Sequence, residues 1–248
     1  MIPALLIGRG GSTGLPGKNT MKLAGRPLME YPILAAKNAR CVDKVYLSTD
    51  SQEIADVGRR LGVEIIDRPA RLATKEAKSE DAFVHGFEAI KAGHGKPVDA
   101  IVLLFCNGAT ITPGFIDRGY EALQADPTLD SAVSVSVYNM WSPARARKLD
   151  KNGYLVPAID PALIDGVSCD RDTQGDVYYA DCSMFVVRPR CLDLSYGQDP
   201  FKWIGRKVLP LKQWGGLDID YDWQVPMVEY WLRRHGFTEN KTPYEEGQ

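Results

Sequence analysis

The chain has 248 residues, 44% of them hydrophobic and 25% charged, and 30 Lys and Arg nearly balance 32 Asp and Glu for a formal net charge of -2. That length and apolar content suit a folded core, and the balance of charge argues against a broad basic face for nucleic acid. The longest apolar run, Ala100 to Phe105, falls far short of the roughly 18 residues that span a bilayer. The opening Met1-Ile2-Pro3-Ala4-Leu5-Leu6-Ile7 lacks a basic n-region and meets Arg9 too early for a secretory signal, so a cytoplasmic location is expected. The five cysteines form no CxxC pair and the three histidines show no zinc-ligand spacing, which predicts reduced, mostly buried thiols.

In chain order, Ala4 to Ile7 is a short apolar run, read as a strand buried on both faces. A glycine-rich loop follows, and then a helical pattern over Leu28 to Asn38. Lys44 to Ser48 reads as a second strand and Ser51 to Leu61 as a helix capped by Asp50 or Ser51 and ended by Gly62. Val63 to Ile66 is a third strand, Glu80 to Ala92 a helix, Ala100 to Phe105 a strand, Pro113 to Gln124 a helix and Ser131 to Val137 a strand. Beyond Tyr138 the pattern loosens. Val177 to Val187 is predicted as a strand, and a helix runs from about Trp223 to Arg234. Strands alternating with helices imply an α/β sandwich with a mostly parallel sheet. The chain reads as one domain, 1–248, with a less regular insertion between about 138 and 205.

The loop Gly8-Arg9-Gly10-Gly11-Ser12-Thr13-Gly14-Leu15-Pro16-Gly17-Lys18-Asn19 leaves the first strand at the end where open sheets bind ligands. Its glycines let backbone amides approach an anion, and Arg9 and Lys18 add positive charge, which points to a polyphosphate. A Walker A loop fails because Asn19 follows Gly17-Lys18 and Ser12 stands at the first glycine position. A dinucleotide fingerprint lacks its third small residue at Thr13. Near the C-terminus, Leu217-Asp218-Ile219-Asp220 alternates apolar and acidic residues. On a strand this pattern puts both carboxylates on one face, suited to a hard cation; the alternative is a pair of solvated acids ahead of a helix capped by Asp222.

Arg9-Gly10-Gly11-Ser12-x-Gly14-x-x-x-Lys18-Asn19, followed by Lys22-Leu23-Ala24-Gly25-Arg26-Pro27-Leu28, resembles the N-terminal signature of the cytidylyltransferases that activate acidic sugars, the CMP-N-acylneuraminate synthetases and their relatives. Ser48-Thr49-Asp50 with Glu53-Ile54-Ala55, Arg68-Pro69-Ala70 and Ser79-Glu80-Asp81 fit that family in order, as does Asp218-x-Asp220. The resemblance implies a three-layer α/β/α nucleotidyltransferase fold, Rossmann-like, and transfer of CMP from CTP to an acidic acceptor with release of pyrophosphate. It implies catalytic roles for Arg9 and Lys18, nucleotide contacts from Gly10, Gly11, Ser12, Asn19, Arg68 and Ser79, and Mg2+ on Asp218 and Asp220. It also implies a homodimer formed through the insertion, where Trp141, Phe201 and Trp203 are candidate anchors, with aromatic core packing the equal alternative.

The chain departs from the family pattern in three places. Thr13 stands where the family has Lys, Phe105 where it has a Gln that contacts the acylated sugar, and Asp181-Cys182-Ser183 where it has Asn-Gly-Ala. The nucleotide half is therefore expected to be kept and the acceptor half altered. Candidate acceptor contacts are Phe105, Arg145, Arg147 and Asp181, with Arg171 and Arg188 as further cations for an anionic acceptor, whether sugar acid, phosphonate or phosphate. Another base in place of cytosine is the nearest alternative. A dinucleotide-dependent oxidoreductase would use Asp50 for the ribose, and a non-catalytic nucleotide-binding protein would follow if the altered acceptor half had lost activity.

Overall fold

The structure, a computed structural model, describes residues 1–164, 166–239 and 241–244. Its centre is a seven-stranded sheet formed by β1 (Pro3–Ile7), β2 (Lys44–Thr49), β3 (Glu64–Asp67), β4 (Ile101–Phe105), β5 (Ser131–Val137), β6 (Tyr178–Val187) and β7 (Val208–Gln213), in the order β7-β5-β6-β4-β1-β2-β3. All neighbours are parallel except β6, which runs antiparallel to both β4 and β5. Among the described residues there are five α-helices, α1 (Glu30–Asn38), α2 (Gln52–Arg60), α3 (Ser79–His94), α4 (Pro113–Ala125) and α5 (Val225–Arg234), and the first four cover the sheet.

The alternation of side chains along the central strands divides the core in two. Leu6 of β1, Leu47 of β2 and Leu104 of β4 pack with α1, α2 and α4 on one face. Leu5, Tyr46 and Leu103 of the same strands pack with Phe83 and Phe87 of α3 on the other. Each such side chain, wholly removed from water, stabilises the fold by about 1.5–3 kcal/mol. A third cluster seats Val228, Trp231 and Leu232 of α5 on Leu23, Leu28, Tyr31 and Ile219.

The chain winds β1, β2, β3 in one direction through α1 and α2, then crosses by α3 to place β4 on the opposite side of β1. The carboxyl ends of β1 and β4 therefore diverge into loops that leave in opposite directions, opening a crevice between them. The Gly8 loop and the Cys106–Asn107 turn form its two lips.

Two expectations need correction. Asp218 to Asp220 is an irregular segment, not a strand, held instead by Asn107 and Gln224 side chains. The strand expected over Val177–Val187 within the stretch 138–205 is β6, which takes an interior position in the sheet. Among the described residues, the flanking 139–177 holds only short 3-10 turns and the small hairpin of Arg147–Leu149 with Leu155–Pro157. The helix expected from Trp223 begins with a short 3-10 turn, Asp222–Gln224, before Val225–Arg234.

Candidate active site

A cavity of about 370 Å³ fills the crevice, reached by residues from both ends of the chain: Arg9, Lys18 and Asn19 from the first loop, Arg68 and Ser79 from the β3–α3 segment, and Asp218 and Asp220 from the far C-terminal part. A second space of about 250 Å³ shares Arg9, Lys18, Asn19 and Asp220 and adds Ser12, Thr13 and Gly14.

The loop is fixed by its backbone. The Gly8 amide donates to the Ser48 carbonyl at 3.2 Å and the Gly10 amide to Asp50 Oδ1 at 3.1 Å, tying the loop to the end of β2. Glycine is required where other groups press in. A Cβ at Gly8 would stand 2.6 Å from Cys106 Sγ, and one at Gly14 2.5 Å from the Asp220 carbonyl oxygen. The second approach draws the loop onto the acidic segment. Gly11 has open space around it, so its role is exposed backbone rather than close packing.

Asn19 is buried and donates from Nδ2 to the Arg9 carbonyl at 3.2 Å. Arg68 is also buried. Its Nε and Nη2 donate to the Ser48 hydroxyl (3.2 Å) and carbonyl (2.5 Å), while burial lowers its pKa from the ordinary guanidinium value. A buried cation held by neutral oxygens is poised for an anionic or carbonyl-bearing ligand. Ser79 opens α3, so the positive end of a 16-residue helix meets the cavity.

The acidic side is built by residues distant in sequence. Asn107 Nδ2 donates to Asp218 Oδ2 (3.1 Å), to the Ile219 carbonyl (2.9 Å) and to Asp220 Oδ1 (3.5 Å). Gln224 Oε1 accepts from the amides of Asp220 (2.6 Å) and Tyr221 (2.7 Å), and Thr110 Oγ1 exchanges hydrogen bonds with the Leu217 backbone. Ile219 is fully buried between the two acids. The carboxylates thus converge without strand geometry. Lys18 Nζ forms an ion pair with Asp220 Oδ1. Burial, with the charge of Asp220, pushes the Asp218 carboxyl up to about 6.

Two oxygen donors carrying more negative charge than Lys18 neutralises suit a hard divalent cation. Among the described residues no group of three or more His, Cys, Asp or Glu forms a metal cage. A cation here would complete its shell with water and ligand oxygens, as magnesium does with phosphates.

A family model described as Cytidylyltransferase matches residues 3–94. The CMP-N,N'-diacetyllegionaminic acid synthase of Legionella pneumophila is 45% identical over 62% of this chain and 66% of its own length. N-acylneuraminate cytidylyltransferase A of Danio rerio is 39% identical over 98% of this chain and 53% of its own. The chain is a divergent member of this cytidylyltransferase family. It spans about half to two thirds of the length of these relatives. In fold it is similar to a CMP:2-keto-3-deoxy-manno-octonic acid synthetase solved with CTP, with a TM-score of 0.65 and 15% identity over 94% of this chain and 98% of that one. The 4-diphosphocytidyl-2C-methyl-D-erythritol synthase of Anaerococcus prevotii gives 0.61 and 11% over 94% and 96%.

The remaining candidates of this cytidylyltransferase-family chain separate into two groups. Phe105 lines the cavity, joined by Phe201 and Trp203. Those last two were open between dimer anchors and core packing; Trp203 is 4% exposed and packed in the core, whereas Trp141 is 56% exposed. Asp181 does not line the cavity. It is buried, accepting from Ser134 Oγ (2.6 Å), Ser136 Oγ (2.8 Å), Gln213 Nε2 (2.9 Å) and the Ser183 amide (3.2 Å), so its charge is consumed inside the sheet. Arg145 and Arg147 border a different space of about 530 Å³ within the insertion and donate to the carbonyls of Cys169, Ala144 and Ala146. Arg188 donates to the Leu129 and Leu123 carbonyls. The Arg171 side chain lies outside the described residues. Asp50 is engaged by the Gly10 amide, a contact that ties down the loop.

Sequence reasoning missed Asn107, Gln224 and Cys182. Asn107 had one signal, a polar side chain just beyond the carboxyl end of the most hydrophobic strand. Cys182 had none: it enters the cavity because β6 shifts register between Ala180 and Phe185, with Cys182 at a φ of 57°.

Proposed function

We propose that the protein transfers the cytidylyl group of CTP to a hydroxyl of an anionic sugar-acid acceptor, releasing pyrophosphate. The observation that supports this reading is the meeting, in one cavity, of the Arg9–Lys18 loop, the buried Arg68 and the Asp218–Asp220 pair. Arg9, Lys18 and the loop amides at Gly10, Gly11 and Ser12 bind the triphosphate. Asn19, Arg68 and the α3 terminus at Ser79 hold the nucleoside. The acceptor oxygen attacks the α-phosphorus, the bond to the bridging oxygen of the β-phosphate breaks, and the electron pair leaves with pyrophosphate while the hydroxyl proton passes to water. Arg9 and Lys18 neutralise the charge that grows on the leaving group, and a fixed cation is worth most where charge develops. Asp218 and Asp220 would hold Mg2+, which when bound supplies neutralisation of phosphate charge and a lower pKa for a nearby hydroxyl.

Thermal stabilisation by CTP, compared with ATP, GTP and UTP in the presence of Mg2+, tests the base. Pyrophosphate release with a panel of sugar acids tests the reaction. Equal stabilisation by all four nucleotides, or no release with any acceptor, would overturn the corresponding half of the reading.

The insertion carries outward-facing apolar residues, among them Trp141, Tyr154, Leu155 and Leu163. We infer that this face pairs two copies of the chain, which sedimentation velocity tests directly. Among the described residues no helix is long and apolar enough to cross a membrane. A nucleotide substrate and five free cysteines support a cytoplasmic setting.

A further inference from the structure

The Lys18 ammonium stands on the acidic pair and not in open solvent. Its side chain is only 13% exposed, and Nζ is paired with Asp220 Oδ1. Lys18 and Asp220 border both the 370 Å³ cavity and the 250 Å³ space beside it, so this ion pair lies where the two meet. A ligand extending from one space into the other passes it. Asn107 reaches the same carboxylates from the turn after β4, its Nδ2 donating to Asp218 Oδ2, to Asp220 Oδ1 and to the carbonyl between them. Donors of the protein itself therefore already engage an oxygen on each carboxylate.

The two donors differ in what can displace them. Asn107 is buried, neutral and short, in a turn held by the Cys106 amide on the Ile7 carbonyl and the Gly108 amide on the Phe105 carbonyl, 3.1 Å each. An arriving anion gives it nothing to turn toward. Lys18 is charged and ends a flexible four-carbon stem. Its backbone is anchored, the amide donating to the Leu15 carbonyl at 3.2 Å and the carbonyl accepting from the Met21 amide at 3.3 Å. The ammonium can thus change partner while its Cα stays in place. The same loop presents Arg9 and the amides of Gly10, Gly11 and Ser12 to an anion, which puts a competing partner within the reach of the stem.

Resting on the reading that the loop binds a triphosphate and the Asp218–Asp220 pair a divalent cation, we propose that Lys18 is a place-holder. In the nucleotide-free protein its ammonium fills the cation position at Asp220. When a nucleotide enters, the ammonium passes to the triphosphate, and the carboxylate pair regains its full charge at that moment. A divalent cation meeting the resting site finds one negative charge cancelled and one carboxylate oxygen taken. Repulsion between an ammonium and a divalent cation near contact, screened by water, weakens binding by about ten- to a hundredfold. Nucleotide and cation are thereby coupled through Lys18, and each raises the affinity of the site for the other.

Mn2+ alone, titrated into the nucleotide-free protein and followed by loss of the free-ion electron paramagnetic resonance signal, reads the resting site without any reaction. Lys18→Met should bind Mn2+ about ten- to a hundredfold more tightly than the native chain, while CTP stabilises it less against heat. Lys18→Gln gives the same comparison with a polar, uncharged side chain, and Lys18→Arg, which keeps the charge, should leave Mn2+ binding weak. Adding Asp220→Asn to Lys18→Met should abolish the gain. Unchanged or weaker Mn2+ binding by an uncharged variant that still melts cooperatively overturns the place-holder, as does a gain that survives Asp220→Asn. Undiminished stabilisation by CTP overturns the exchange. Absence of base preference or of pyrophosphate release overturns the cytidylyl reading and not this one, because Mn2+ is measured with no nucleotide present.

Discussion

The two halves of the central sheet are stabilised by different means. In β1 and β4 every side chain is apolar and nearly all are buried, and in β2 the polar residues Ser48 and Thr49 come only at its carboxyl end after Val45, Tyr46 and Leu47. In β5 and β6 the interior itself is polar: Ser134, Ser136 and Ser183 are fully buried and gather, with Gln213, around the Asp181 carboxylate. The first half brings its charges to the rim, where Arg9, Lys18 and Arg68 line the cavity. The second half uses its charge to hold strands together, and contributes shape to the cavity through Cys182, Phe201 and Trp203. A charge in this sheet is thus available for chemistry only where no strand neighbour has already satisfied it.

That contrast is open to attack by substitution. The largest expected effect is at the rim. Asp218→Asn should cut metal-dependent pyrophosphate release by about 10³-fold. It should also raise the melting temperature of the nucleotide-free protein at pH 7 by about 2–4 °C, because it removes an uncomfortable buried charge. A melting temperature that falls would contradict the account of Asp218. Lys18→Met comes next, with a loss of about 10²-fold in turnover under saturating CTP. In the sheet interior the signature inverts. Asp181→Ala leaves several donors unpaired and should cost about 2–4 kcal/mol in urea denaturation, with turnover per folded molecule retained. A normal stability with lost turnover would return Asp181 to the acceptor site.

The pH dependence is smaller and has a definite sign. The Asp218 carboxyl stands near 6, above its unfolded value of 3.8, because it is buried and lies beside Asp220. Its contribution to stability is therefore fully present below the unfolded value and is lost as pH rises through 6. Lowering pH from 7 to 5 should stabilise the nucleotide-free protein through this group. Over the same range metal-dependent turnover should fall, since a protonated carboxyl binds cations poorly. Asp218→Asn should flatten the stability arm. The smallest effect is expected at the exposed hairpin, where Leu149 and Leu155 are 66% and 72% exposed. Each single change to Ser should stay within about 0.5 kcal/mol of the native stability, while the double variant sediments as a lighter species.

Much of the molecule was legible because local rules decided it. The periodicities of Ala4–Ile7, Lys44–Ser48 and Ala100–Phe105 announce buried strands, Ser51 caps its helix by accepting the Ile54 amide, and the glycine-rich loop follows the first strand as an anion loop should. The loop cations could be nominated because strand ends in a parallel sheet point to one rim, and Arg68 only through its place in the family's motif order. The acidic pair was legible as a pair but not in its geometry. Leu217–Asp220 alternates like a strand, yet no neighbouring strand receives it, and Thr110, Asn107 and Gln224 hold it irregularly.

The charges of the second half misled for a physical reason. Arg145, Arg147, Arg188 and Asp181 look alike in a sequence whether their hydrogen bonds go to a ligand or to nearby carbonyls and hydroxyls. That depends on which strands become neighbours, and β6 enters antiparallel between β4 and β5, where periodicity alone assigns no partner. The sequence by itself determined the strand–helix alternation and the glycine-rich, anion-type loop after the first strand, because spacing along the chain and backbone sterics set these. Only the tertiary structure decided that Asp218 and Asp220 face Lys18 across 200 residues of chain, that Cys182 is turned into the cavity by a bulge, and that Phe105, Phe201 and Trp203 line it together. Those arrangements arise from contacts between elements distant in the chain, and no local pattern encodes them.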